Sequence, residues 1–595
     1  MQQWVVKSKR ADFKEIGSRF GIDQVTARII RNRDVVGEDA IEQYLHGTLT
    51  DLADAHRMKD AVQLVEILIR KMQEKKKIRI IGDYDIDGVM SSYVLYRALT
   101  RCKADVDVAI PNRITDGYGL NFHLIEDAIE AGVDTIVTCD NGIAAIEEIA
   151  YAKKKGITVL VTDHHEIPYE EIDGKKHYLQ SAADAIVNPH QQECDYPYKD
   201  LCGAGVAWNV IRILYEKMQL KEEEAYELLE FVGFATVGDV MPLTGENRIL
   251  VREGLKRIHH TKNTGMKALI AQCGLMPEQI ESYHLGFVLG PCINAAGRLD
   301  TAKRALALFQ TQDECVAVQL ANELVVLNEE RKTMTADGVQ KAKQLCEENG
   351  YEKDPVLVIF LPEVHESIAG IIAGRIREHF GRPTFVLTRG EEGIKGSGRS
   401  VEGYSMYEEM CRCSSLFTKF GGHPMAAGLS LPEENIDVFR EQMNRNCPLT
   451  VEQLQPKVHI DVPMPVDYVT NALVEEFHIL APFGKDNPKP VFADRNLRIS
   501  RMWVVGKNQN VLRLSLVSEQ GMPASGIYFG DIAAFEDYLA EQFGAEELEK
   551  ARRGRENAIR ISAVYYPKIN RYRDSESLQF EIQYYRGKKA PDIVK

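Results

Sequence analysis

Three aspartates at alternate positions, Asp83, Asp85 and Asp87, close the stretch IRIIGDYDIDGVMS at residues 78–91. Carboxylates this close repel one another unless a cation neutralises them. A ligand set made only of oxygen suits a hard divalent ion such as Mg²⁺ or Mn²⁺. The same residues could equally form a solvated acidic turn. The run before them, Ile78, Ile80 and Ile81, is short, apolar and β-branched, which reads as a buried strand. Open α/β sheets bind ligands at the carboxyl ends of such strands.

Two more apolar runs end in the same way. Thr135–Cys139 stops at Asp140-Asn141-Gly142, and Thr158–Thr162 stops at Asp163-His164-His165. A lone aspartate after a strand is usually a helix cap, and a lone histidine pair is usually structural. Three such endings at one sheet edge exceed what capping explains, and Asp with His suits Mn²⁺ or Mg²⁺. Asp239, in ATVGDVMPLTGENRILV, is a fourth acidic candidate or an ordinary helix-end carboxylate. Arg298, in GPCINAAGRLD, is placed in a small-residue loop that a phosphate could reach. IKGSGRS and FGGHPMAAGLSL read as Gly-rich turns whose amides could approach phosphates, with Arg399 and His423 adding charge or hydrogen bonds. Each could also be a plain tight turn.

The elements around these residues follow from periodicity. Residues 1 to about 76 are read as helical and polar, without chemistry. From Lys77, strands and helices alternate: a strand at Val106–Ile110, a helix at Asn121–Ala131, another at Ala144–Lys155. This is the pattern of a mostly parallel, doubly wound α/β sheet. Glu222–Phe234 is expected to be one amphipathic helix, and Thr301–Asn349 a long connecting helix. A second α/β unit begins near Pro355. From about Gln455, short alternating strands suggest a small barrel or sandwich. Its Arg498, Arg501, Arg513, Trp503, Tyr565 and Tyr566 could stack and neutralise a single strand, or the aromatics could be barrel core.

A chain of 595 residues is too long for one core, so three or four domains are expected. The net charge of −15 argues against a generally basic nucleic-acid coat but leaves room for a local basic channel. No apolar run approaches the roughly 18 residues of a membrane span, and the N-terminus lacks a signal-peptide core. The eleven cysteines are scattered, with only Cys411 and Cys413 close, which favours reduced thiols and a cytoplasmic protein.

Taken together, these stretches resemble the DHH phosphoesterase superfamily, and within it the RecJ single-strand-specific exonucleases. The match is carried by GDYDIDG at 82–88, PNRITDGYGL at 111–120, CDNG at 139–142, VTDHHE at 161–166 and GDVMPLTGENRILV at 238–251. GPCINAAGRLD, SGRS at 397–400, GGHPMAAG at 421–428 and PFGKDNPKPVF at 482–492 extend it. The resemblance implies a helical lead-in at 1–45, a DHH domain at 46–300, a connecting helix at 301–350, a DHH-associated α/β domain at 351–450 and an OB-fold barrel at 451–595. It implies two divalent ions, Mn²⁺ or Mg²⁺, held by Asp83, Asp85, Asp87, Asp140, His164 and Asp239, with His165 as a phosphate contact or supporting group. It implies phosphate binding by Arg113, Arg298, Ser397 and Arg399 and a substrate contact at His423. The implied activity is 5′-to-3′ hydrolysis of single-stranded DNA in recombination and repair, by a monomer, with a companion helicase or single-strand-binding protein left open. Two other readings stand beside it: a DHH phosphodiesterase of short oligonucleotides or cyclic dinucleotides, and a non-catalytic replication scaffold. Three positions depart from the family pattern. Ile81 stands where many members carry histidine, and Ser367 and Asp486 stand where glycine is expected.

Overall fold

The computed structural model describes residues 3–587 apart from 391–392, 451, 507 and 573–574. It divides into two compact units, one spanning Thr48–Gln455 and the other joining the residues up to Gly47 to those from Pro456 onward.

The first unit opens on five strands, β1 (Lys77–Ile81), β2 (Asp105–Ala109), β3 (Thr135–Cys139), β4 (Thr158–Thr162) and β5 (Ala185–Val187). They pair in parallel in the order β2-β1-β3-β4-β5. Successive side chains of a strand point to opposite faces, and here both faces are covered. Ile78, Ile80, Val137 and Leu160 pack against helices α1 (Ile86–Arg101) and α2 (Gly203–Lys217). Ile81, Ile136, Val159 and Val161 pack against the helices Phe122–Glu130 and Ile146–Lys154. The expected doubly wound sheet is present, and its strand ends at Ile81, Cys139 and Thr162 face one edge.

Several local expectations change. The segment Glu222–Phe234 is not one amphipathic helix. A short turn of helix, Glu222–Tyr226, precedes α3 (Leu229–Gly238), which buries Leu229, Phe231, Val232, Phe234 and Ala235 all round. The polar run belongs to the first piece and the apolar run to the second, so their sum only mimics amphipathicity. Gly290–Asp300 is not a loop either. It forms α4 (Gly290–Leu299), with Pro291 in its first turn, where a missing N–H costs nothing. Its small residues, among them Ala295 and Ala296, are fully buried, so they permit close helix packing rather than a turn.

The connecting helix expected over Thr301–Asn349 is two: Lys303–Gln310 stops at an extended Thr311, and the 36-residue α5 (Glu314–Asn349) begins at Asp313, whose side chain accepts from the N–H groups of Cys315 and Val316. Ala317, Ala321 and Leu324 of α5 join the core under the parallel sheet, whereas Ala342 and Cys346 join the core of the next domain. That domain holds β6 (Leu357–Phe360), α6 (Glu366–Phe380), β7 (Thr384–Gly390), β8 (Gly393–Arg399), β9 (Lys419–His423) and β10 (Ala426–Leu431). Its sheet order is β9-β10-β8-β7-β6, antiparallel except between β6 and β7. The segments expected to be Gly-rich turns are therefore strands. In β8, Ile394, Gly396 and Gly398 face inward and Lys395, Ser397 and Arg399 face the other way, an alternation that glycine hides from a hydrophobicity pattern.

The second unit carries the barrel: β11 (Phe492–Val505), β12 (Val511–Val517), β13 (Pro523–Tyr528), β14 (Arg560–Tyr572) and β15 (Ser575–Gly587). The order β11-β12-β13-β15-β14 closes through pairing of β11 with β14, giving a five-stranded barrel of OB type. Two helices, Ile532–Phe543 and Ala545–Arg552, lie between β13 and β14, where strand alternation alone gave no sign of them. Tyr565 and Tyr566 are buried in this core, and Tyr565 donates to the carbonyl of Met464 at 2.7 Å, so these two rings are packing rather than a stacking surface. Trp503 is not fully buried and lies 5.3 Å under the guanidinium of Arg501. The N-terminal helices Gln24–Asn32 and Glu38–His46 complete the same core through Ile29, Ile30, Ile41 and Leu45.

Candidate metal centre and phosphate pocket

The sheet edge explains why the acids converge. After β1 the chain turns, leaving the Asp83 side chain buried, and Asp85 caps α1 by accepting from the N–H groups of Asp87 and Gly88 at 3.0 and 3.1 Å. Asp87 is fully buried and lies at the N-terminus of α2, where the N–H groups of Gly203 and Ala204 donate to its carboxylate at 2.5 and 2.8 Å. A helix N-terminus favours an anion there. Gly203 is needed for this approach, since a Cβ would stand 2.7 Å from Asp140 Cβ and 3.0 Å from Asp87 Oδ2. Asp140 follows β3 in the left-handed region, φ 61°, and its side chain lies 3.1 Å from His164 Nε2. The same nitrogen is 3.6 Å from Asp87 and 3.7 Å from Asp239, the residue that ends α3.

Six of the seven residues expected at the centre fall into two neighbouring groups. Asp83, Asp85 and Asp140 offer oxygens within 4.8 Å of one another, and Asp87, His164 and Asp239 offer ligand atoms equally close. Asp140 and His164 also group with His165, so the clusters adjoin. Burial and mutual repulsion set their protonation. Burial, with Asp85 adding repulsion, pushes Asp83 up to about 8. Burial and then Asp87 and Asp85 hold Asp140 well above the carboxylate range. Burial also raises Asp87, with His164 and the α2 amides opposing it, and burial lowers His164. Carboxylates that cannot all ionise together, beside a neutral imidazole, are a donor set suited to two hard divalent cations.

Asp163 was not among the expected site residues, and it organises both histidines. Its Oδ1 accepts from the N–H of His164 at 2.7 Å, the N–H of His165 at 3.1 Å and His165 Nδ1 at 2.8 Å, while Oδ2 accepts from Ile143 N–H at 2.9 Å. Burial alone would lower His165, but the hydrogen bond and charge of Asp163 hold it at about 9. Tyr118 was also missed: its hydroxyl donates to the Asp140 carbonyl at 2.9 Å and lies 3.2 Å from His165 Nε2. Both belong to motifs already singled out, VTDHHE and PNRITDGYGL, but nothing in their spacing separated them from their neighbours. Gly203 had no signal at all.

Beside the acids lies a cluster of guanidinium groups. Arg298, near the C-terminus of α4, donates through Nη1 to the Ser367 carbonyl in the first turn of α6 at 2.6 Å. Burial first, then Arg113, Arg331 and Arg399, bring Arg298 down to about 10. Arg113 sits over the Tyr84 ring at 4.7 Å. Arg399 and Ser397 project from β8 toward α6, where a Cβ on Gly370 would meet Arg399 Nη2 at 2.7 Å and Ser397 Cβ at 3.4 Å. Guanidinium groups gathered so that Arg113, Arg331 and Arg399 all depress Arg298 could hold an anion between them. His423 is exposed at the end of β9, in register through Ala426 with Arg399. It lies two strand spacings away, about 10 Å, and so outside the immediate cluster.

The three departures resolve physically. Ile81 is fully buried core, contributing packing and no ligand. Ser367 lies within helix α6 and outside the left-handed region, so no glycine is required. Asp486 has φ 59°, a conformation glycine adopts at lower cost.

Comparison with known proteins identifies the domains that carry these residues. The model of the DHH family, N-terminal domain, matches residues 77–236, that of the DHHA1 domain matches 353–447, and that of the RecJ OB domain matches 460–584. The single-stranded-DNA-specific exonuclease RecJ of Haemophilus influenzae is 32% identical over 589 residues, covering 96% of this chain and 97% of the relative. RecJ of Bacillus subtilis is 32% identical over 522 residues, and the match spans 87% of this chain but only 64% of that relative. The solved structure of RecJ from Thermus thermophilus with Mn²⁺ superposes with a TM-score of 0.80 at 25% identity, over 99% of this chain and 80% of that one. A solved exonuclease RecJ bound to manganese is 31% identical, with a TM-score of 0.56, over 65% of this chain and 94% of that one.

Proposed function

This chain belongs to the RecJ family of single-stranded-DNA-specific exonucleases, and we propose that it removes nucleotides from the 5′ end of single-stranded DNA at the centre described above. It is a metal-dependent exonuclease whose cofactors are divalent ions, Mn²⁺ or Mg²⁺. The observation that carries the 5′ polarity is the pairing of the carboxylate group and the carboxylate–imidazole group with a half-buried guanidinium cluster, Arg298 being close enough to Asp85 to feel its charge.

Asp83, Asp85 and Asp140 would hold one cation and Asp87, His164 and Asp239 the other. When bound, the ions supply charge neutralisation and water activation at the scissile phosphate. The remaining work falls to the protein. Arg113, Arg298 and Arg399, with Ser397, fix the terminal 5′ phosphate and so set which bond lies over the acids. Asp163 keeps His165 protonated, ready to offset charge developing on the phosphoryl oxygens. Tyr118 ties the Asp140 backbone to the His165 ring. His423 contacts the strand farther along. The barrel guides that strand, with Trp503 and Arg501 as its stacking pair. A helicase or single-strand-binding protein would supply unpaired strand during recombination and repair. The described cysteines are free thiols, in keeping with a cytoplasmic setting.

The test is an end-labelled, 5′-phosphorylated single strand incubated with Mn²⁺ and then with EDTA, beside a duplex and a dinucleotide. Metal-dependent loss from the 5′ end, sparing blunt duplex, is expected. Cleavage confined to the dinucleotide would make the chain a small-substrate phosphodiesterase, and binding without turnover would make it a scaffold.

A further inference from the structure

The exonuclease reaction poses a problem that the phosphate pocket alone does not solve, and the inference rests on that reading. Hydrolysis of the first internucleotide bond leaves a nucleoside 5′-monophosphate whose phosphate still occupies Arg113, Arg298 and Arg399. It also leaves a shortened strand with a new 5′ phosphate over the acids. Two phosphomonoesters then compete for one pocket in every cycle, so the departing one needs somewhere to go.

A groove of about 500 Å³ runs between α5 and α6. Its walls carry Arg331, Lys332, Lys343 and Arg375, with His379 at one end; Arg375 also meets Glu378 of the same wall at 3.2 Å, and Lys332 meets Glu329 at 2.8 Å. Such a concentration of positive charge stands out in a chain of net charge −15. The volume lies in the range of small-molecule sites, roughly 300–1,000 Å³. The groove is built as well as charged. Arg331 is fixed by two bonds from Nε and Nη2 to Asn328 Oδ1, at 3.1 and 2.8 Å. Its position is intermediate, since Arg298 on the pocket side feels Arg331, and Arg331 on the groove side feels Arg375. α6 separates the two sites by its own rotation: Gly370 and Gly374 face Arg399, whereas Ile371, Arg375 and Glu378 line the groove.

We propose that the α5–α6 groove is a second phosphate site that receives the product nucleoside 5′-monophosphate and frees the pocket for the next 5′ end. Arg331 hands the phosphate on, and Arg375 and Lys343 hold it.

The experiment uses the full chain and 2′-deoxyadenosine 5′-monophosphate. Calorimetric titration is expected to show two sites per chain. Lys343→Glu with Arg375→Glu removes one site, and Arg298→Ala removes the other. Loss of each charged contact weakens binding roughly tenfold. In cleavage assays the double variant keeps the wild-type single-turnover rate, whereas its steady-state rate falls roughly tenfold. The milder Lys343→Gln with Arg375→Gln pair, with melting temperature checked, shows the same split if charge reversal disturbs folding. One mononucleotide site in the wild type, two in the double variant, or an equal fall in both rates would overturn the assignment. Weakened binding of a long single strand with mononucleotide binding intact would also overturn it, making the groove a backbone track. Failure of the exonuclease reading looks different, because the wild type would then release no mononucleotide with Mn²⁺.

Discussion

Asp163 shows how a residue can matter here without touching the substrate. Its two oxygens accept four hydrogen bonds, three from the histidine pair and one from Ile143. Asp163→Asn removes the charge and half of that accepting capacity. Supporting groups of this kind typically cost 10- to 100-fold when changed, and a loss of roughly that size in Mn²⁺-dependent turnover is expected, with the fold unchanged by circular dichroism. Asp140→Ala removes a carboxylate that groups with Asp83 and Asp85 and also with His164 and His165. It should lower turnover by roughly 10²- to 10³-fold, and full activity would remove Asp140 from the centre. The same carboxylates make the metal-free protein sensitive to pH. Asp83 is raised to about 8, so the folded state holds a proton that the unfolded state, at 3.8, has released. Its stabilisation is present below pH 4 and disappears as pH rises toward 8. His165, raised from 6.5 to about 9, acts in the same direction at higher pH. With EDTA the melting temperature should therefore fall between pH 5 and 9. Mn²⁺ should restore it increasingly as pH rises, and a flat metal-free profile would contradict the crowding of the acids.

Elements decide whether those residues meet. α2 brings its first amides to Asp87 only because position 203 has no side chain. Gly203→Ala is expected to weaken Mn²⁺ binding and turnover by at least roughly tenfold, since the clash falls on Asp140 and Asp87 together. Gly205→Ala, two residues further along the same helix, meets nothing closer than 3.4 Å and should be tolerated, so titration of Mn²⁺ into the two variants separates geometry from general helix damage. This scale also shows what a sequence can disclose. The three strands and their acidic endings were legible because burial on both faces demands short β-branched runs, and a run must stop where the ligands begin. α4 was not, because Gly, Pro and Ala look alike whether they make a turn or let a helix pack tightly. β8 was not, because glycine carries no hydrophobic signal at the buried positions 396 and 398. The guanidinium cluster gathers Arg113, Arg298 and Arg399 from a loop, a helix and a strand nearly 300 positions apart, which local periodicity cannot register.

At the scale of the whole chain, the two ends fold into one unit. Gln3–Val6 pairs in parallel with Lys457–Ile460, and the first helices complete the core beneath the barrel. Nothing local announces this, so the first residues read as a polar lead-in. Its firmest joint is Arg33, which donates to the Asp461 carboxylate at 2.6 and 3.2 Å and to the Pro488 carbonyl at 2.9 Å. Both charged side chains are almost fully buried, at 1% and 2% exposure. A buried pair adds little net stability by itself, because desolvation offsets the attraction, but removing one partner strands the other. After Arg33→Ala, Asp461 would retain Val491 N–H at 3.1 Å and Lys7 at 3.4 Å, which do not replace a bidentate guanidinium. The expected loss is about 3–5 kcal/mol, confined to the unfolding transition of the barrel unit, while the Mn²⁺-induced shift of the catalytic unit stays as in the wild type. Replacing both partners, Arg33→Met with Asp461→Leu, removes the stranded charge and should recover much of that loss. Urea unfolding followed by tryptophan fluorescence reads this directly, because Trp4 and Trp503 report from the barrel unit and Trp208 from the catalytic one. If Arg33→Ala left the barrel transition where it was, the two chain ends would not share one cooperative fold.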